Sequence, residues 1–189
     1  IGYRLVGSEM CIRDRAYSGY EKAIADFGME GTFLEPDGGG ENRGELLELC
    51  AEAGNDLIIG NGFLFDASMN EVAPSYPDIN FAITDGVAEP ANVRGMLFDH
   101  AEGSFLAGVA AALKTTNNHV GFLGGVDFPL IHEFEQGFIA GVQAINPDIV
   151  IEIGYASVAP DFSGFNDVVK GKEIALAPVS YTHLTLPTI

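Results

Sequence analysis

Short apolar runs alternate with amphipathic segments along most of this chain, and this alternation constrains the fold more than any other feature. The runs "DLIIGNG", "INFAITDG", "HVGFLGG" and "IVIEIGYAS" are typical of strands that are buried on both faces of a parallel sheet. Segments with helical spacing lie between them, including "YSGYEKAIADFG", "GELLELCAEAG", "EGSFLAGVAAALKTT" and "PLIHEFEQGFIAGVQAIN". Two more strands are predicted at "EGTFLEP" and "NVRGMLFD". The pattern predicts an α/β fold with doubly wound parallel sheets.

The strand-helix pattern restarts within residues 86–99, where "DGVAEPANVRGMLFDH" contains a loop, a short strand and a new helix start. We therefore predict two lobes, an N-terminal lobe at residues 16–92 and the first half of a C-terminal lobe at residues 93–177. Two lobes of this kind would place a ligand cleft between the carboxyl ends of their sheets.

The two ends of the chain are related to each other through their codons. One permitted codon set for "MCIRD", residues 10–14, has a reverse complement that encodes "VSYTH", residues 179–183. Together with flanking residues that resemble sequencing adapters, this relationship predicts that residues 1–15 and 178–189 are non-native scars. The alternative is that they are a native strand and a native tail.

Charge and composition exclude several kinds of partner. Acidic residues outnumber basic residues 27 to 9, which gives a net charge of −18. Binding to nucleic acid or to an anionic lipid surface needs clustered Lys and Arg, so neither partner is expected. His100, His119 and His132 are isolated from one another, so we predict no metal site and no other cofactor. The alternative is a metal site of carboxylates alone, although acidic residues this frequent are typical of a solvated face. Motifs for nucleophilic catalysis and phosphate binding are also absent, so we do not expect an enzyme.

The loops after the predicted strands contain the candidate binding residues of the N-terminal lobe. Asn61, Gly62 and Phe63 end "DLIIGNG", where glycine allows close approach of a ligand and an aromatic ring could stack on a planar group. Phe63 fits a stacking role and a core role about equally, whereas Phe65 fits the core better. Asp85 ends "INFAITDG" and could accept hydrogen bonds from vicinal sugar hydroxyls. Its structural alternative is a cap of the turn at Gly86.

The C-terminal lobe offers a second candidate loop in "FLGGVDFPLIHEFEQGF". Gly125, Asp127 and Phe128 are predicted to line the cleft between a strand and the helix that Pro129 opens. The helix should bury a stripe of apolar residues and turn its polar residues, His132, Glu133 and Glu135, toward water.

The segments quoted above resemble the basic membrane protein family of bacterial substrate-binding proteins. The blocks "EGSFLAG" and "GGVDFPLIHEFEQGFIAG" carry the most specific part of the likeness, and it runs through nearly all of residues 16–177. Members are receptors for ABC importers, several of them specific for purine nucleosides. The resemblance implies the type I periplasmic binding protein fold, in which two doubly wound lobes are joined by a hinge, with both lobes incomplete here.

The resemblance also implies roles for particular residues. Asp85 becomes a ribose-binding group, and Gly62, Phe63 and the "GGVD" loop line the cleft. The implied partners are a nucleoside-like small molecule and ABC permease subunits. The implied location is the periplasm or the outer face of the cell membrane, with contact to the membrane only through a lost lipid anchor or the transporter.

Comparison with the family pattern implies that the first strand and its ligand loop are missing, with "CIRDR" in place of the loop. We predict that "IGYRLVG" takes the central position that this strand would occupy in the first sheet, and that the polypeptide as written has low stability and binds nucleosides poorly. The alternative function is the ligand-sensing domain of a transcription regulator with the same fold.

Overall fold

The computed structural model describes residues 8–36, 41–87 and 89–176. The chain divides into two compact units, with the division between Phe98 and Asp99. The strand predicted for "IGYRLVG" at residues 1–7 lies outside the described residues. No helix among the residues that are described is long and apolar enough to cross a membrane.

The first unit contains a parallel sheet of three strands in the order β1-β2-β3. Its strands are β1 (Leu57–Asn61), β2 (Asn80–Thr84) and β3 (Val93–Met96), and its helices are α1 (Ser8–Phe27), α2 (Arg43–Glu52) and α3 (Asp66–Val72). Helix α1 ends at Phe27, because Gly28 adopts a φ of 64° and its N–H donates to the Ile24 carbonyl.

The core of the first unit joins its sheet to helices α2 and α3. Phe81 and Ile83 of β2 are essentially inaccessible to solvent, as is Met69 of α3. The remaining buried members of this cluster are Leu47, Ala51, Ile58, Val72 and Ala73. β2 therefore forms the centre of this core, as expected for a strand buried by helix packing, whereas β1 buries Ile58 and leaves Leu57 and Ile59 exposed.

The strand predicted at "EGTFLEP" is wrong, because residues 28–36 have no regular secondary structure and pair with no described strand. A cleft of about 170 Å³ separates residues 32–36 from β1. Phe33 packs instead against Tyr17 of α1, with ring centroids 5.2 Å apart. A strand needs a hydrogen-bonded neighbour as well as suitable residues, and this segment has none among the described residues.

The second unit contains a parallel pair of strands, β4 (His119–Asp127) and β5 (Val150–Val158). Its helices are α4 (His100–Lys114), α5 (Pro129–Ile145) and α6 (Val168–Leu176). Asp99 caps α4 by accepting a hydrogen bond from the Glu102 N–H at 3.0 Å. Pro129 opens α5, where a missing N–H costs nothing. The buried cluster consists of Ala112, Val120, Phe138, Val142 and Ile149.

Three glycines bring the backbones of α4 and α5 into direct contact. A Cβ added at Gly108 would lie 2.1 Å from the Phe138 carbonyl oxygen, and one at Gly141 would lie 2.0 Å from the Phe105 carbonyl oxygen. At Gly137 the corresponding distance, to the Ala101 carbonyl oxygen, is 2.3 Å. Only glycine permits this approach, so these three glycines determine how closely the two helices pack.

The α/β class with parallel sheets is therefore confirmed. The observed boundary between the two units lies further along the chain than the predicted one, which follows residue 92. β3 pairs with β2 in the first sheet, and the division follows Phe98. The second unit therefore begins at the cap of α4 and not at β3. The prediction assigned β3 to the wrong unit because the sequence of a short strand does not show which sheet it joins.

Candidate functional site

The carboxyl ends of β1 and β2 lie side by side in the first unit. Asn61 is opposite Thr84 in the parallel register, and Gly62 and Asp85 are the next residues in their chains. Gly62 has a φ of 109° and Asp85 a φ of 58°, a region that only glycine occupies freely. The Asp85 N–H donates to the Met96 carbonyl at 2.8 Å, which holds this turn against the end of β3. The structure thus brings together the predicted residues Asn61, Gly62 and Asp85.

Thr84 connects these two strand ends and was not among the predicted site residues. Its Oγ1 accepts a hydrogen bond from the Gly62 N–H at 2.7 Å and donates one to Asn61 Oδ1 at 3.0 Å. A threonine at the last position of an apolar strand is ordinary in β structure, so its residue type gives no signal. Its position one residue before Asp85, at the carboxyl end of the central strand, is the signal that could have identified it.

The two phenylalanines that follow Gly62 have different surroundings. Phe65 packs against the core of the first unit, and the Arg43 guanidinium lies 5.6 Å from its ring centroid. Phe63 opens the 3₁₀ turn Phe63–Phe65, is half-buried and is not part of that packing. The core interpretation of Phe65 is confirmed by this packing, and Phe63 stays a candidate for ligand contact.

The loop predicted at "GGVD" is wrong, because Gly125 and Asp127 belong to β4, where Val126 pairs with Ser157 and Asp127 with Val158. Aromatic rings explain the glycines in this strand. A Cβ at Gly125 would lie 2.4 Å from the ring of Phe165, and one at Gly124 would lie 2.5 Å from the ring of Tyr155. The glycines therefore make room for neighbouring side chains, and the strand extends to the residue before Phe128.

Asp127 has an imidazole partner. His132 Nε2 lies 2.7 Å from Asp127 Oδ1, and both side chains are partly exposed. The ring of His132 meets that of Tyr155 nearly edge-on, with centroids 5.7 Å apart. His132 and Glu135, predicted to face water, are partly exposed and also contact Asp127 and Tyr155, because the turn after Asp127 brings the first turns of α5 near the end of β4.

Tyr155 completes this polar group at the end of the second sheet. Its hydroxyl donates to Glu135 Oε2. Burial raises the pKa of Tyr155 well above 10.0, and the hydrogen bond to Glu135 and the charges of Glu135 and Asp127 raise it further. The phenol therefore stays a neutral hydrogen-bond donor.

Phe128 lies immediately after β4 and packs edge-on against Phe162, with ring centroids 5.5 Å apart. The second unit thus brings together Gly125, Asp127 and Phe128 at the carboxyl end of its sheet, with His132, Tyr155 and Phe162 as neighbours that the sequence did not reveal. No group of three or more His, Cys, Asp or Glu side chains within the described part of the chain is arranged to hold a metal ion.

Comparison with known proteins identifies relatives of this chain. It is 38% identical to the ABC transporter nucleoside-binding protein BmpA of Lactococcus lactis subsp. cremoris over 127 residues, which cover 67% of this chain and 34% of the relative. It is 31% identical to basic membrane protein A of Borreliella burgdorferi over 166 residues, which cover 86% of this chain and 47% of that protein. The chain therefore spans a third to a half of the length of these curated relatives.

Solved structures agree on the fold. An ABC transporter solute-binding protein from Aeropyrum pernix matches with a TM-score of 0.67 and 27% identity, over 80% of this chain and 45% of that chain. A transcriptional activator of the comK gene from Bacillus halodurans matches with a TM-score of 0.60 and 22% identity, over 79% of this chain and 51% of that chain, which shows a shared fold alone.

The family model that matches is described as Bmp, ABC transporter substrate-binding protein PnrA-like, and it covers residues 11–180. The match begins and ends inside the two segments predicted to be scars, whose non-native origin stays a prediction. With a match this long and relatives of this identity, the chain belongs to the Bmp family of PnrA-like ABC transporter substrate-binding proteins.

Proposed function

We propose that this chain is the ligand-binding part of an extracytoplasmic receptor for an ABC importer, and that its ligands are purine nucleosides. The observation that carries the proposal is the Bmp match over residues 11–180, together with 38% identity to a relative named as a nucleoside-binding protein. The receptor captures its ligand reversibly and delivers it to the permease subunits. It performs no bond chemistry, in keeping with a family of substrate-binding proteins.

The ends of β1 and β2 provide the sugar-binding groups. Asp85 lies at a strand end in a turn fixed by its own N–H, and a carboxylate can accept hydrogen bonds from two neighbouring hydroxyls. Gly62 has no Cβ and adopts a φ of 109°, so a ligand can approach the backbone beside Asn61 closely. Phe63, on the adjacent 3₁₀ turn, offers a ring to a planar base.

The end of the second sheet contributes the other candidate residues. Phe128 offers a second aromatic ring, supported edge-on by Phe162. Asp127 has His132 Nε2 beside one of its oxygens, which leaves the other oxygen for a ligand. Gly125 lines this end of the sheet and allows Phe165 to pack over it.

The acidic character of the chain supports a neutral ligand, and the family match supports an extracytoplasmic location on the periplasmic side or the outer face of the membrane. A net charge of −18 repels anions such as nucleotides, nucleic acids and anionic lipid surfaces. Nucleosides carry no phosphate, so this repulsion does not act on them.

The test is an NMR titration of the ¹⁵N-labelled 189-residue chain with inosine, adenosine, guanosine, uridine and free ribose, continued to millimolar concentrations so that weak binding is measured. Purine nucleosides should shift the amide signals of residues 61–63 and 85. Asp85→Asn keeps the size of the side chain and tolerates the left-handed backbone, and it should weaken binding about 10-fold or more because a charged hydrogen-bond acceptor is lost.

Asp56→Asn is the matched control, because Asp56 is exposed and precedes β1 at the strand end opposite Asn61. It should leave the affinity within about twofold, as exposed charges contribute little. If no nucleoside perturbs residues 61–63 and 85, or if the two substitutions weaken binding equally, the proposed function is wrong.

A further inference from the structure

The orientation of the Asn61 amide follows from its hydrogen bonds. Because the Gly62 N–H donates to Thr84 Oγ1, that hydroxyl is an acceptor on one side and keeps a single hydrogen to donate. The acceptor in reach is Asn61 Oδ1, at 3.0 Å. With the amide reversed, the Thr84 hydrogen would have no acceptor among the residues that the structure describes. The amide oxygen therefore faces Thr84, and the NH₂ group faces away from it.

The NH₂ group of Asn61 is available to a ligand. No acceptor in residues 8–36, 41–87 or 89–176 takes a hydrogen bond from Asn61 Nδ2, and this nitrogen is not one of the buried polar atoms there. Asp85 directly follows Thr84, the register partner of Asn61, and neighbouring strands are about 4.8 Å apart. The ends of these adjacent strands therefore present an NH₂ group that donates hydrogen bonds, on Asn61, and a carboxylate that accepts them, on Asp85.

We propose that Asn61, positioned by Thr84, donates a hydrogen bond to a sugar hydroxyl while Asp85 accepts one, and that this pair selects ribose over deoxyribose. The inference rests on the proposed nucleoside-binding function and identifies the two residues that recognise the sugar. In a vicinal diol, one hydroxyl accepts from Asn61 and its neighbour donates to Asp85, so each residue has a hydroxyl of its own. A 2′-deoxy sugar leaves one of the two polar groups without a partner, which is the situation that gives strong discrimination.

The experiment compares inosine and 2′-deoxyinosine by NMR titration of the same protein sample. The unsubstituted chain should prefer inosine about 10-fold, the effect of leaving a polar group unpaired. Thr84→Val keeps the shape of the side chain and removes the hydroxyl, and Asn61→Leu removes the donor. Each should lower the affinity for inosine and leave that for 2′-deoxyinosine almost unchanged, so that the preference falls below about threefold.

Thr84→Ser is the conservative control, because it keeps the hydroxyl and should keep the preference. The preference is a ratio measured within one variant, so a general loss of folding cancels from it. A Thr84→Val protein that retains the full preference, or one that loses affinity for both nucleosides equally, overturns the inference.

A second measurement separates this inference from the proposed function. Hydrogen exchange at the Gly62 amide should accelerate in Thr84→Val and remain slow in Thr84→Ser, with or without ligand. If the unsubstituted chain binds no nucleoside, the proposed function fails and sugar selection with it. The exchange rates then still test whether Thr84 holds the Gly62 amide. An unchanged Gly62 rate in Thr84→Val shows that Thr84 does not position this turn.

Discussion

The contact between α4 and α5 gives a prediction whose magnitude follows from the structure. Gly141→Ala would place a Cβ 2.0 Å from the Phe105 carbonyl oxygen and 3.0 Å from the Val109 nitrogen. Ordinary contacts of a Cβ begin at 3.4 Å, so the shortfall is about 1.4 Å. The obstacle is backbone, which cannot rotate aside as a side chain can. The helices must therefore separate, which loosens the packing around Val142, a fully buried neighbour.

The expected change in the free energy of unfolding combines two opposing effects. Overpacking a closely packed contact costs about 3 kcal/mol when the neighbours cannot adjust, the upper end of the usual range. Replacing glycine by alanine inside a helix returns about 1 kcal/mol. Gly141→Ala should therefore destabilise the second unit by about 2 kcal/mol, roughly a 30-fold change in its folding equilibrium.

Gly103→Ala is the matched control, since Gly103 is an exposed residue of α4 and an added Cβ would meet no atom within 4 Å. It should stabilise the chain by about 1 kcal/mol. Urea unfolding followed by far-UV circular dichroism, with hydrogen exchange of the α4 and α5 amides, measures both variants. The reasoning is refuted if Gly141→Ala is as stable as the unsubstituted chain, or if the two variants behave alike.

Two further predictions concern buried polar contacts. Tyr155 should ionise well above pH 10.0, and Glu135→Gln should bring its pKa closer to that value, as measured by the phenolate absorbance in a pH titration. Because the folded chain keeps this proton after the unfolded chain has lost it, the contribution of Tyr155 to stability should persist below pH 10.0 and fall as the pH rises above it. Asn92 donates through its amide to the carbonyls of Ala73, Tyr76 and Ile79, so Asn92→Ala should cost about 2 kcal/mol in urea unfolding, and a loss under about 0.5 kcal/mol would contradict this.

Much of the fold could be predicted because burial leaves a direct trace in the sequence. The runs that form β1, β2, β4 and β5 are rich in apolar residues, and burial on both faces is most complete in β2, whereas Ile59 of β1 and Ile153 of β5 remain exposed. Gly28, Pro129 and the cap of α4 mark helix ends by local stereochemistry, which needs no tertiary information.

The elements that were predicted wrongly depend on contacts with residues that lie far away along the chain. Residues 30–36 have the composition of a strand, but the segment joins no ladder and its Phe33 packs against Tyr17 of α1. Gly124 and Gly125 suggest a loop, yet they lie in β4 because the rings of Tyr155 and Phe165 fill the space that side chains would take. These rings come from residues 30 or more positions further along the chain, so no local window contains the cause.

The two candidate aspartates illustrate the same limit at the level of the site. Asp85 and Asp127 both end an apolar strand, and the sequence assigns them equivalent roles. The structure gives Asp127 an imidazole at 2.7 Å, whereas Asp85 follows Thr84, whose hydroxyl turns the Asn61 amide so that its NH₂ group faces outward. The imidazole beside Asp127 Oδ1 takes up part of the hydrogen-bonding capacity of that carboxylate. We therefore expect polar selection of a nucleoside at the first sheet, where the Asn61 donor and the Asp85 acceptor lie on adjacent strands.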